Sequence, residues 1–175
     1  MDRCTIRPYA PADRDAVNAV ALAAFSQYSG DYQDWPGFAE GIARMADLAE
    51  VGELLVASSG GGIAGAVVHM PPGSPRKPMF PEAWSLVRML VVAPERRGAG
   101  IGRQLMAGCL RAAERAGAPV LGLHTSPIMA PALRMYLALG FERDADLPPE
   151  RGVPYGRYVL PASAFREALA RLEAC

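Results

Sequence analysis

The sequence is poor in lysine, histidine and cysteine, carries no net charge and has no long apolar run. Each shortage excludes a class of function. Lys77 is the one lysine among 18 basic residues, the rest being arginine. A phosphate-binding G-x-x-x-x-G-K-[ST] loop needs a lysine after its last glycine, and Lys77 stands in no such context. Schiff-base chemistry would rest on the same Lys77, inside a proline-rich stretch. The 18 basic residues face 18 acidic ones, so no basic surface is expected for nucleic acid or an acidic membrane. Cys4, Cys109 and Cys175 are odd in number and form no C-x-x-C pair. They are neither a disulfide framework nor a zinc site, and they fit a reducing cytoplasm. Two histidines, His69 and His124, are too few for a His-rich metal site, so no metal is expected. No apolar run reaches the ~18 residues that span a bilayer, and the first residues lack an apolar signal-peptide core. A cytoplasmic protein is the expectation.

What is present fits one domain over 1–175, with a core over about 5–160 and a terminal helix over about 163–173. Its 175 residues are long enough to fold without disulfide or metal support. Thr5-Ile6-Arg7 reads as a first strand, and Asp13 as N-cap of a helix with Ala16, Val17, Val20, Ala21, Ala24 and Phe25 on its apolar face. An aromatic and acidic segment follows, with Tyr28, Asp31, Tyr32, Asp34 and Trp35. Phe38, Ile42, Met45 and Ala49 then recur at helical spacing. Strands over 53–57 and 63–70 are joined by Gly60-Gly61-Gly62. Residues 71–81 hold five prolines and read as an irregular loop. The apolar run 86–92, broken only by Arg88, reads as a central strand.

Ile101, Leu105, Met106, Cys109, Leu110 and Ala113 form a helical stripe, and a short buried strand over 120–124 completes a parallel strand–helix–strand unit. A further helix begins near Pro131 and stops at Gly140. Strands over 141–143 and 155–160 and the terminal helix finish the chain. The order β-α-α-β-β-β-α-β-α-β-β-α specifies an α/β (α+β) three-layer domain, a mixed and mostly antiparallel sheet with helices on both faces.

Chemistry concentrates in Val91-Val92-Ala93-Pro94-Glu95-Arg96-Arg97-Gly98-Ala99-Gly100-Ile101-Gly102-Arg103. A buried strand ends, and three alternate glycines open a helix. Glycines let backbone amides approach a ligand closely, and the helix N-terminus adds partial positive charge. Arg97 and Arg103 flank this anion cradle and offer charge-assisted hydrogen bonds. The dinucleotide pattern G-x-G-x-x-G fails, because Arg103 occupies its third glycine position and no acid follows over 117–123.

Arg97 to Gly102 resembles the R/Q-x-x-G-x-G/A pyrophosphate loop of the GCN5-related N-acetyltransferases, with the V-x-P lead-in at Val92-Ala93-Pro94. Ala132 to Phe141 is similar to the family's A-x-x-x-Y-x-x-x-G-F segment, and Ile6-Arg7-Pro8 followed by Asp13 to its opening. The resemblance covers roughly 5–160. It implies the acyl-CoA N-acyltransferase fold and an acetyl-CoA-dependent N-acetyltransferase acting on an amine of a small molecule or peptide. The amides of Arg97, Gly98, Ala99, Gly100, Ile101, Gly102 and Arg103 would hold the pyrophosphate of acetyl-CoA. Leu90, Val91 and Val92 would pair with its pantetheine arm, and the amide of Leu90 or Val91 would polarise the thioester carbonyl. Tyr136 matches the tyrosine that protonates the leaving thiolate.

Two departures from the family's pattern stand out. Met129 replaces an asparagine seven residues before Tyr136, and 84–92 lacks the acid that serves many members as general base. His124 is then a candidate base, the alternatives being another group or water. The alternative function is a catalytically inactive acyl-CoA-binding sensor or partner module.

Several residues also have plainer readings. Tyr136 sits on an apolar helical face and doubles as a core candidate, and His124 reads equally as a hydrogen-bonded strand end. Tyr28, Tyr32 and Trp35 either wall the acceptor site or pack on the surface, and Asp146, Glu150 and Tyr155 pose the same choice. The resemblance leaves homodimer formation open.

Overall fold

A computed structural model describes residues 4–174. Seven strands form one sheet in the order β1-β2-β3-β4-β5-β7-β6. They are β1 (Thr5–Pro8), β2 (Glu53–Ser59), β3 (Gly62–Met70), β4 (Ser85–Val92), β5 (Val120–Thr125), β6 (Glu142–Glu150) and β7 (Val153–Pro161). The helices are α1 (Arg14–Phe25), α2 (Trp35–Ile42), α3 (Ile101–Arg115), α4 (Ala130–Leu139) and α5 (Phe165–Glu173). All neighbouring strands run antiparallel except β4 and β5. The parallel pair needs a long crossover, and α3 supplies it.

Two apolar cores lie on the two faces of the sheet. On one, the α3 stripe of Ile101, Leu105, Met106, Cys109, Leu110 and Ala113 packs with Phe165, Ala168 and Leu172 of α5 against Val67, Leu121, Leu123 and Leu160. On the other, Val17, Ala21 and Ala24 of α1 and Ile42 of α2 cover Val56, Ala66, Val68 and Val91. Leu105 and Leu110 are wholly buried, a position where truncation to alanine costs about 2–5 kcal/mol.

Three local expectations change. Asp13 precedes α1 but does not cap it: its carboxylate accepts both guanidinium nitrogens of Arg7 (2.7 and 2.9 Å) and the amide of Ala10 (2.9 Å). The Arg7 hydrogen bonds, above all, hold the Asp13 pKa down to about 2. The helical spacing from Phe38 to Ala49 is not one helix, since α2 stops at Ile42 and a 3-10 turn covers Met45–Glu50. Lastly, β6 runs on to Glu150 through Asp144, Asp146, Pro148 and Pro149. It is an edge strand with most side chains in solvent, so it needs no apolar alternation and tolerates proline and charge, which hid it.

Candidate active site

The site originates in a defect of the central strand. Between the pairs Val68↔Arg88 and Ala66↔Val91, β3 has one residue and β4 has two, Met89 and Leu90. This is a β-bulge, and Met89 carries a left-handed φ of 56°, strained for a side chain of its kind. On its other edge β4 pairs with β5 only at Ser85↔Leu121 and Leu86↔Gly122. Beyond Leu86 the two strands separate, and a groove opens between them.

The groove runs to the start of α3. Gly98 (φ 80°) and Gly100 (φ 76°) both hold left-handed backbone, which L side chains rarely adopt. A Cβ at either would meet no neighbour within 4 Å, so backbone shape and open space, rather than packing, call for glycine here. The first α3 amide to find a helical carbonyl belongs to Gln104, which donates to Gly100 O at 3.1 Å. The amides of Gly98, Ala99, Gly100, Ile101 and Gly102 donate to no backbone carbonyl among the described residues. They are the unfilled donors of a helix start and a tight turn.

A cavity of about 450 Å³ gathers Leu90, Val91, Val92, Arg97, Gly98, Gly100, Ile101, Gly102 and Arg103 with Ala24, Phe25, Gln27 and Tyr28 of the first helical segment. Met129, just before α4, and Pro131, Ala132 and Met135 of α4 close it. Ala99 alone of the expected cradle residues does not line it. Two arginines are anchored: Arg97 donates to Ala24 O (3.2 Å) and Arg103 to Arg171 O (2.5 Å). Met129 and the Ala132 segment were marked by the family resemblance, whereas Gln27 carried no sequence signal of a role here.

A second cavity, about 300 Å³, shares Phe25, Leu90, Met129 and Ala132 with the first and continues it past the bulge. Tyr136 and His124 both line it. Burial, the larger cause, and Cys109 raise the Tyr136 pKa, so its hydroxyl stays protonated. Burial first, then Lys77 and Arg88, lowers the His124 pKa to about 4, against an opposing pull from Glu150. This ring is neutral at pH 7 and flanked by Phe80 and Tyr155.

The three aromatics of the acidic segment separate in space. Tyr28 lines the first cavity, while Tyr32 and Trp35 line neither. Tyr32 is buried behind the wall, stacked on Phe38 with centroids 4.0 Å apart and hydrogen-bonded through its hydroxyl to Tyr155. Of the later group, Glu150 and Tyr155 line the second cavity and Asp146 does not.

The proline-rich loop over 71–81 forms one rim, and Arg76 fixes its shape. Its guanidinium donates to Pro71 O (2.6 Å), Pro81 O (2.7 Å), Trp84 O (2.7 Å) and Ser74 O (3.0 Å). Pro71 O and Pro81 O also accept the amides of Ser74 and Trp84, while Ser74 O and Trp84 O are served by this side chain, so one guanidinium ties both ends of the loop together.

Known proteins are similar to this chain in sequence and fold. The family model described as an acetyltransferase (GNAT) domain matches residues 50–143. A mycothiol acetyltransferase of Pseudarthrobacter chlorophenolicus is 31% identical over 149 residues, covering 79% of this chain and 42% of that protein. The chain therefore spans less than half the length of that relative. Among solved structures, a protein of Desulfovibrio desulfuricans assigned to the GNAT family of acetyltransferases superposes with a TM-score of 0.70. It is 24% identical, over 91% of this chain and 99% of that one. A GNAT acetyltransferase of Brucella melitensis solved with acetyl-CoA gives a TM-score of 0.62 at 22% identity, over 91% and 88%. Both likenesses show the same fold. The chain belongs to the GNAT family of acetyltransferases.

Proposed function

We propose that this protein transfers the acetyl group of acetyl-CoA directly to an amine of a small molecule or peptide. One observation carries the reading: the bulged, splayed edge of β4 runs into a row of unfilled amides at the α3 N-terminus within a single groove. The glycines fit a pyrophosphate, because a side chain at Gly98 or Gly100 would project into otherwise open space. Leu90, Val91 and Val92 would hold the pantetheine arm, and the residues from Arg97 through Gly98, Ala99, Gly100, Ile101 and Gly102 to Arg103 the phosphates. The Brucella structure, which contains acetyl-CoA, and the mycothiol acetyltransferase support acetyl-CoA as cosubstrate.

Bound acetyl-CoA supplies an activated acetyl group: the N–C bond forms, the C–S bond breaks, and a thiolate leaves that needs a proton. The amide of Leu90 or Val91, turned by the bulge, polarises the acetyl carbonyl. Tyr136 gives its hydroxyl proton to the thiolate. The amine's own proton goes to water or to His124, whose neutral ring can accept it although burial makes it a weak base. Tyr28 contacts the bound cosubstrate, while Tyr32 and Trp35 act on the acceptor by supporting Tyr155 and Phe38.

The test is thiol release from acetyl-CoA in the presence of small amines, polyamines, amino acids and short peptides. The expected result is release with a subset of amines and a raised melting temperature with acetyl-CoA alone. A thermal shift without release from any amine would leave a sensor, and no shift at saturation would overturn the reading.

A further inference from the structure

The charges in the second cavity are not equally engaged. Lys77 faces Glu150 at 3.6 Å, and Arg151 is paired with Asp34. Arg88 lines the same space with no hydrogen-bond or ionic partner among the described residues. Its place in the sequence makes this notable. Leu86, Met89 and Val91 all belong to the apolar core under α1 and α2, and Arg88 interrupts that row on the central strand. Arg88 is the exposed residue of this strand, and it lines, beside the bulge, the chamber that continues the groove. Across the chamber the wall is apolar and open, formed by Phe25, Phe38 and Ile42, with Gly41 facing unfilled space.

Resting on the acetyltransferase reading, we infer that the acceptor is an amino carboxylate with an apolar body, whose carboxylate is held by Arg88. A guanidinium binds a carboxylate through two parallel hydrogen bonds. With Lys77 and Arg151 already paired, Arg88 is the cation left to neutralise an incoming anion. Phe25 and Phe38 then receive the apolar side group, and the amine lies toward Leu90.

The test is calorimetric titration of the CoA-saturated protein with the free apolar amino acids, leucine, isoleucine, methionine and phenylalanine, and with their amides. At least one free acid is expected to bind about tenfold or more tightly than its amide, the size of one charge-assisted contact. Arg88→Gln should remove that preference while leaving the amide's affinity unchanged, and Arg88→Lys should restore part of it. The inference is overturned if no free acid outbinds its amide, or if Arg88→Gln weakens acid and amide alike. The CoA thermal shift, recorded on the same samples, separates failure of the cosubstrate site from failure of this inference.

Discussion

The two cavities are neighbours with shared walls but are built on opposite principles. The groove at the start of α3 has a floor of backbone, with unfilled amides, two left-handed glycines and a strand edge from residues 90–103, between side-chain walls from residues 24–28 and 129–135. The chamber beyond the bulge is made of side chains from α1, α2, the 71–81 loop, β4, β5, α4 and the β6–β7 turn. A backbone site has one shape and recognises the invariant part of its ligand. A side-chain site changes with each substitution, which suits an acceptor that varies between relatives of one fold.

A charged side chain inserted into the backbone site has the largest expected effect. Gly102 has ordinary backbone, and a Cβ there meets only Val92 at 3.8 Å, so Gly102→Glu adds a carboxylate without strain. It should abolish the acetyl-CoA thermal shift while the melting temperature of the free protein stays near that of the wild type. Next in size is Tyr136→Phe. Loss of a positioned proton donor should lower turnover about 100-fold or more, with acetyl-CoA affinity unchanged by calorimetry. Equal turnover by the variant across the pH range would remove Tyr136 from the chemistry.

The two regions also differ in how far the sequence alone specifies them. Glycine cradle and α3 stripe were legible because each is a short contiguous pattern with a local physical cause. The chamber was legible in part: the candidates Tyr136, His124, Glu150 and Tyr155 all line it, whereas Phe38 and Lys77 gave no sign of a place there, because they reach it only after the sheet has formed. Met89 had no signal at all: a methionine in left-handed backbone is held by the strands around it. Asp13 misled because a stronger partner, Arg7, took its carboxylate. The burial of Tyr32 was hidden too, since its hydroxyl partner, Tyr155, lies 123 residues away.

A smaller effect sharpens the electrostatics of the chamber. Both histidines have lowered pKa values, with burial as the first cause; for His69, Glu53 opposes it. A histidine neutral in the folded protein and free to protonate when unfolded stabilises the fold above pH 6.5. That contribution is lost as pH falls from 6.5 toward 4, the folded pKa of His124. Melting temperature should therefore fall through this window, and His124→Gln should flatten part of the slope. An unchanged slope would show that His124 is not held neutral by its surroundings.

Smallest is the chamber's outer wall. Asp34 starts α2 with a φ of 54°, accepts the Gly37 amide at 3.2 Å and pairs with Arg151. Asp34→Ala removes cap and pair together and should cost about 1 kcal/mol, seen as a melting temperature lower by about 2–4 °C. Asp34→Asn keeps a capping oxygen and should recover most of it.

The backbone groove is the acetyl-CoA site proposed for this chain. Calorimetric titration of acetyl-CoA into the wild type and Gly102→Glu measures this directly. One site per chain in the wild type and none in the variant is the predicted result. Absence of binding in the wild type, or undiminished binding in Gly102→Glu, would contradict it.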